Sequence, residues 1–318
     1  MVNFTVAIPT YNGAERLPQV LDALRSQTDT DAFTWEIVVV DNNSHDDTAA
    51  LVQRYQANWP TQTPLRYCFE AKQGLAYARQ HAIDAAQGEW VAFVDDDVIT
   101  APDWLAAAHR FSQEHPTAGA YGGQVHPAFE GEPPANFKRI QSFLAIRERG
   151  ETPHRYDPAV LNMPPGAALV VSKSAWQNSV PRQLRLVGRV NGMMLSGEDF
   201  EALLHLHQKG WEIWYNPAMH SFHQIPPHRL EKPYLLKLAQ GCGLCVCHLR
   251  VLNAPNFAKP FIMLKITLGG LKRTIAYWLK HRGKIDTDPI LACELQFLQS
   301  SLISPFFWFW QLFALRRA

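Results

Sequence analysis

Ten residues constrain this chain more than any others: Glu89-Trp90-Val91-Ala92-Phe93-Val94-Asp95-Asp96-Asp97-Val98. Trp90 to Val94 is apolar without a break and partly β-branched or aromatic, the pattern of a strand buried at the centre of a sheet. Three carboxylates follow at once. Adjacent like charges repel and resist desolvation, so at a buried strand end they call for a cation. Hard oxygen donors at the carboxyl edge of an α/β sheet suit Mg²⁺ or Mn²⁺ holding a phosphorylated ligand. The competing reading is a solvated acidic turn, and the three acids alone do not decide between the two.

What precedes them favours the ligand site. A strand over residues 4–8 ends at Pro9-Thr10-Tyr11-Asn12-Gly13, and a helix is expected over about 14–27 with Leu17, Val20, Leu21 and Leu24 on one face. A second strand, 35–40, runs straight into Asp41, and a helix follows through about residue 55. A third strand at 65–69 leads to a helix over 74–87, with Gly88 read as its C-terminal stop. Alternating strands and helices predict a mostly parallel sheet flanked by helices, with ligands collecting beyond the carboxyl ends of the strands. Asn12, Asp41 and Asp95 to Asp97 all fall at such ends, which points to a nucleotide or sugar-phosphate site.

With 318 residues, 47% apolar and 19% charged, the chain can bury one large core, alone or with an appendage. A net charge of +1 gives no global basic field, so nucleic acid is not an expected partner. Residues 1–8 read as a first strand and not as a secretory leader. Five cysteines form no disulfide framework for a chain of this length, which suits a reducing cytoplasm.

The second half has a different character. Residues 126–165 are rich in Pro, Glu, Phe and Arg, and Pro164-Pro165-Gly166-Ala167-Ala168 leads into a strand at 169–171. Small residues there let a backbone approach a ligand closely. Ser196-Gly197-Glu198-Asp199 opens a helix through about 209, where the acids are either functional or simple partners of the helix dipole. A strand at 211–215 is expected to end at Asn216-Pro217, with His220, His223 and His228 in a Pro-rich loop as candidate metal ligands.

The composite of Pro9-Thr10-Tyr11-Asn12, Val38-Val39-Val40-Asp41-Asn42-Asn43-Ser44, Gly74-Leu75-Ala76-Tyr77-Ala78-Arg79, Asp95-Asp96-Asp97 and Gly197-Glu198-Asp199 resembles the inverting family 2 glycosyltransferases. More narrowly, the chain is similar to the HpsE-type enzymes of cyanobacterial hormogonium-polysaccharide synthesis. The resemblance implies an α/β GT-A fold (Rossmann-like) over residues 1–230, with a nucleotide-binding half (1–125) and an acceptor-binding half (126–230). Residues 231–318 then form a helical C-terminal extension. It implies that Pro9, Thr10, Tyr11 and Asn12 border the nucleotide, that Asp41 recognises its base, and that Gly74 and Arg79 approach the diphosphate. Asp97 is the implied direct metal ligand, with Asp95 beside it, and Asp95 or Asp96 lies nearer the ribose. Gly166 and Ala167 line the donor and acceptor cleft. Asp199 is the implied general base, with Glu198 orienting it or the acceptor. His223 matches a late histidine that completes the metal shell, with His220 its close alternative. The implied cofactor is Mn²⁺ or Mg²⁺, the donor a nucleoside-diphosphate sugar (UDP foremost), and the acceptor a glycan or lipid-linked molecule.

Independently of the resemblance, sugar transfer needs a neutralised leaving diphosphate and a base for the attacking hydroxyl, and the acids present can serve both needs. A nucleotidyltransferase predicts a Gly- and Lys-rich phosphate loop after the first strand, which residues 9–14 lack. A non-catalytic nucleotide-sugar-binding protein predicts loss of the acids, yet Asp41, Asp97 and Asp199 are present. Cys242, Cys245 and Cys247 read as small helix residues and not as a zinc site, because no second pair lies nearby. From residue 261 onward apolar and basic stretches alternate, and 297–315 is aromatic and followed by Arg316-Arg317. Two readings stand there: a peripheral contact with the inner face of the plasma membrane, or helices packed on the catalytic domain or on a second subunit of a homo-oligomer.

Overall fold

The computed structural model describes residues 2–190 and 192–314. Its first half alternates strand and helix: β1 (Phe4–Thr10), α1 (Leu17–Arg25), β2 (Trp35–Asp41), α2 (Thr48–Ala57), β3 (Leu65–Phe69), α3 (Leu75–Ala85) and β4 (Trp90–Val94). The second half holds β5 (Val98–Thr100), α4 (Trp104–Glu114), β6 (Ala118–Phe129), β7 (His154–Arg155), β8 (Ala168–Ser172), α5 (Lys173–Ser179), α6 (Glu198–Gln208) and β9 (Glu212–Ile225). Three long helices follow: α7 (Lys232–Leu252), α8 (Lys259–His281) and α9 (Pro289–Ala314).

The strands form one sheet in the order β3-β2-β1-β4-β8-β6-β9-β5, with β7 also paired to β9. β3, β2, β1 and β4 are parallel. β8 runs antiparallel between β4 and β6, and β9 is parallel to β6 but antiparallel to β5 and β7. The parallel expectation therefore describes the first half, and the second half is mixed. Side chains alternate across the sheet, so Val6, Ile8 and Val39 pack with α1 and α4 on one face. Ala7, Val38 and Val40 pack with α3, α5 and α6 on the other.

Two local expectations change. α3 ends at Ala85, and Gly88 is not its left-handed cap: it lies against β1, where a Cβ would sit 2.5 Å from Thr5 N and 2.6 Å from the Phe4 carbonyl carbon. β9 does not stop at Asn216-Pro217. It continues to Ile225 because β6 pairs with it on both sides of a register shift near Gly122 and Gln124, which absorbs the proline. His220 and His223 are thus strand residues, and His228 lies in the 3-10 turn Pro227–Leu230.

The C-terminal helices pack through small residues. A Cβ at Gly241 would meet the Met194 carbonyl oxygen at 1.7 Å, and one at Gly243 would lie 2.7 Å from that of Phe297. Cys242, Cys245 and Cys247 are unbridged residues of α7. α9 passes through Pro305, and the Ser304 hydroxyl donates to the Ser301 carbonyl (2.6 Å), the acceptor that proline cannot serve. α7 and α9 are each long and apolar enough to cross a membrane, with about half of each apolar window buried in the protein. The Arg316-Arg317 pair lies outside the described residues.

Gly88→Ala should destabilise the fold by about 1–3 kcal/mol, because both atoms it would strike are backbone. Urea unfolding of the two proteins measures this, and an unchanged midpoint would contradict the close approach.

Candidate active site

β4 ends in a turn closed by the Val98 amide donating to the Asp95 carbonyl (3.0 Å). Each of the three carboxylates has its own arginine, and each arginine comes from a different part of the chain. Asp95 Oδ1 lies 3.4 Å from Arg79 Nη2 of α3. Asp96 accepts from Arg16 Nη2 and Nε at 2.8 and 3.1 Å, and from the Thr10 hydroxyl. Asp97 Oδ2 accepts from Arg229 Nη1 at 2.7 Å, and Arg229 belongs to the turn after β9. Burial pushes the Asp96 carboxyl above its ordinary value despite Arg16. At Asp97 burial acts in the same direction, but His223 and Arg229 outweigh it and hold the carboxyl well below the usual range.

Arg79 is buried, and residue 166 must be glycine for it to fit: a Cβ there would lie 2.3 Å from Arg79 Nη2 and 2.6 Å from Cζ. The same Gly166 donates its N–H to Asp199 Oδ2 (2.7 Å), while Asp199 Oδ1 accepts from the Phe200 amide (2.8 Å). Gly197, at φ +98°, turns the chain into α6 and brings Glu198 and Asp199 to its first turn. Arg79 Nη1 donates to Glu198 Oε1 at 3.2 Å. Among the described residues, Arg79 Nε and Glu198 Oε2 are buried with no hydrogen-bond partner. Burial, reinforced by the Asp199 charge, pushes the Glu198 carboxyl up to about 7. The third acid of this turn, Glu201, is structural: it accepts from the Arg185 and Leu186 amides and pairs with His248.

These groups line one cleft of about 700 Å³. Of the residues singled out from sequence, Pro9, Thr10, Tyr11, Arg79, Asp95 to Asp97, Gly166, Ala167, Glu198, Asp199 and His223 line it. Asn12, Asp41 and Gly74 stand behind its wall. Asp41 accepts from the Ser44 amide (2.9 Å) and the Tyr67 hydroxyl (2.8 Å), and Asn12 is bonded to Ser44 and His45. Gly74, at φ +142°, donates to Asn42 Oδ1 (2.7 Å) at the start of α3. Sequence reasoning missed Arg16 and Arg229. Their only signal was that three adjacent acids demand cations, since nothing local to either arginine marks it.

β9 separates the two candidate histidines because neighbouring side chains alternate and an odd interval changes face. His223 faces Asp97, with Nε2 at 3.5 Å from Asp97 Oδ2, whereas His220 Nδ1 is 2.9 Å from His126 Nε2. His223 Nδ1 lies 2.8 Å from the Leu144 carbonyl oxygen, an acceptor, so Nδ1 carries a proton and Nε2 faces the cleft. Arg229 Nη1 sits against that nitrogen at 3.2 Å. Among the described residues no group of three or more His, Cys, Asp or Glu converges as a metal site. Asp97 and His223 nonetheless fit a divalent cation shared with a phosphorylated ligand, because such ions take few protein donors and fill the rest with phosphate and water. Arg229 is the positive charge now at that spot.

Two outcomes test this electrostatic arrangement. Arg229→Gln should bind Mn²⁺ alone more tightly, by roughly tenfold, because a like charge leaves the ligands. Titration calorimetry reads this, and equal or weaker binding would contradict the assignment. Glu198 binds its proton more tightly in the native state than in the unfolded chain, so native stability falls as pH rises from about 4.5 to about 7. Glu198→Gln should flatten that decline, which is on the order of a few kcal/mol, in denaturant titrations across the window. A wild-type slope retained by the variant would remove Glu198 as its source.

Residues 5–177, more than half of the chain, match the family profile Glycosyl transferase family 2. The uncharacterized glycosyltransferase YfnE of Bacillus subtilis strain 168 is 31% identical over 160 residues, covering 49% of this chain and 35% of that protein. The putative teichuronic acid biosynthesis glycosyltransferase TuaG of the same organism is 31% identical over 129 residues, covering 41% of this chain and 49% of that protein. The chain thus spans half or less of the length of these curated relatives. Among solved structures, the mannosyltransferase PcManGT from Pyrobaculum calidifontis, in complex with GDP-Man and Mn²⁺, aligns with a TM-score of 0.60 at 19% identity. The alignment covers 95% of this chain and 86% of that one, and it shows the GT-A fold, with the C-terminal helices following the sheet in this chain. The chain belongs to glycosyl transferase family 2.

Proposed function

We propose that the protein is an inverting, metal-dependent glycosyltransferase that moves a sugar from a nucleoside diphosphate to an acceptor hydroxyl. One observation carries this reading: the triple-aspartate turn and the Asp199 carboxylate line the same cleft, with Arg79 held between Asp95 and Glu198. Asp199 takes the proton of the acceptor hydroxyl as that oxygen attacks the anomeric carbon. The bond from that carbon to the diphosphate oxygen breaks, and the diphosphate leaves with the electron pair. A single displacement inverts the anomeric centre and needs no second carboxylate as nucleophile. The Gly166 and Phe200 amides orient Asp199, while Glu198 and Arg79 form the polar floor beneath it.

Mn²⁺ or Mg²⁺, held by Asp97 and His223, would neutralise the charge on the leaving diphosphate. Pro9, Thr10 and Tyr11 border the nucleotide in this reading. Asp41 recognises its base through the edge of the loop that it organises, and Gly166 and Ala167 line the donor and acceptor cleft. UDP is the first candidate nucleotide, although GDP-Man is the ligand of PcManGT. The acceptor is a cell-envelope polysaccharide or its lipid-linked precursor, in keeping with the teichuronic acid name of TuaG and the hormogonium-polysaccharide resemblance. The site of action is then the cytoplasmic face of the membrane.

A thermal-shift panel of UDP, GDP, CDP, ADP and dTDP, each with Mn²⁺, Mg²⁺ or EDTA, tests the donor site. One nucleotide should raise the melting temperature, and both EDTA and Asp97→Asn should diminish that shift. Asp199→Asn should keep the shift yet lose transfer by roughly a hundredfold or more, the contribution of a positioned base. Normal turnover by Asp199→Asn would sink the base assignment, and no shift with any nucleotide would sink the donor site.

A further inference from the structure

α8 carries an apolar stripe that none of the described residues covers. Phe261, Leu264, Leu268, Leu271, Ile275 and Trp278 recur at alternating intervals of three and four, one continuous line along a helix, and each is exposed (73% at Phe261, 58% at Leu268 and 47% at Trp278). The inner side of the helix is a different set. Ile266 and Gly270 are buried, Gly270 packs against Leu302 of α9, and Tyr277 bonds to Glu294 of α9. α8 and α9 are therefore antiparallel, and Trp308 of α9 packs on the same Cys247, Val251 and Ile266 cluster as Ile262 and Met263 of α8. That pairing brings the exposed Phe306, Phe309 and Trp310 of α9 to the Phe261 end of the stripe.

Charge selects the occupant. From Lys232 to Ile285 the chain holds ten Lys or Arg and no Asp or Glu, although the whole protein has a net charge of only +1. Lys265 and Lys272 follow Leu264 and Leu271 directly and flank the stripe. A second copy of α8 would bring like charges together, with no acid at the flanking positions to answer them. A span across the bilayer would bury Lys265, Lys272 and Arg273 near mid-helix. An apolar stripe flanked by cations and bearing aromatic residues is instead the composition of a helix lying in the interface of an anionic bilayer.

We infer that the exposed face of the α8–α9 hairpin docks on an anionic lipid surface, with α8 in the plane of the interface. The inner side of the same hairpin borders the cleft: Ile266 and Arg273 of α8 and Phe297 and Leu298 of α9 line it together with Asp199. Docking therefore brings the cleft's apolar, cationic end to the lipid. If the transferase reading holds, on which this last step alone rests, the acceptor is a membrane-held amphiphile whose anionic head meets Arg250 and Arg273.

The test is flotation of the full chain with vesicles of phosphatidylcholine alone or mixed with phosphatidylglycerol. The protein should float with the mixed vesicles and stay behind with the neutral ones. Lys265→Glu/Lys272→Glu and, separately, Leu268→Glu/Ile275→Glu should each lower the bound fraction by about tenfold or more. Both pairs are exposed, so the melting temperature and its nucleotide-induced shift should remain, which separates failure of docking from failure of the donor site. Equal flotation with both vesicle types, or full flotation of both variants, would overturn the inference. So would a dimer in sedimentation that the Leu268→Glu/Ile275→Glu variant abolishes.

Discussion

Three consecutive carboxylates at the end of a buried strand cannot exist without countercharge, and the fold is arranged to supply it. Arg79 comes from the helix before β4, Arg16 from the loop before α1, and Arg229 from the turn after β9. Each arginine ties a different part of the molecule to one turn of four residues. The arrangement also divides the labour. Asp96, bonded to Thr10 and Arg16, binds the turn to β1. Asp95 leads through Arg79 to Glu198, and Asp97 faces His223. Breaking such a buried pair from one side leaves a charge uncompensated, at about 3–5 kcal/mol.

Gly166 shows how little freedom remains around these charges. The space its missing side chain leaves is filled by the Arg79 guanidinium, and its amide fixes Asp199. One residue thus sets both the depth of the cation and the aim of the carboxylate. A loop of prolines and small residues before β8 is what such a close approach requires, since a bulkier chain would hold α3 and α6 apart.

Much of this was legible beforehand where the physics is local. β4 has the bounds that its apolar run predicts, because an unbroken run bounded by charged residues admits few alternatives. Asp95 to Asp97 reach the cleft as the alternation of strand and helix leads one to expect, whereas Asp41 stands behind its wall. Legibility fails where the deciding contact is distant. Asn216-Pro217 reads as a strand end until β6 is seen to hold β9 through the irregularity. Gly88 reads as a helix cap until β1 is seen against it. The choice between His220 and His223 needed the strand that carries both, and Arg16 and Arg229 could be chosen from thirty basic residues only by tertiary contact. The C-terminal helices were legible in composition, but which face of α8 is left uncovered depends on its packing against α9.

The three ion pairs also span very different lengths of chain: 16 residues from Arg79 to Asp95, 80 from Arg16 to Asp96, and 132 from Asp97 to Arg229. Closing a longer loop loses more chain entropy, and contacts distant in sequence form late. The short and middle pairs belong to the parallel β1–β4 half, which can assemble from neighbours. The longest waits for β9 to find β6. During synthesis or refolding the β1–β4 half would then stand with one carboxylate of its turn unanswered until the second half arrives. The last charge to be neutralised is then Asp97, the carboxylate that faces His223.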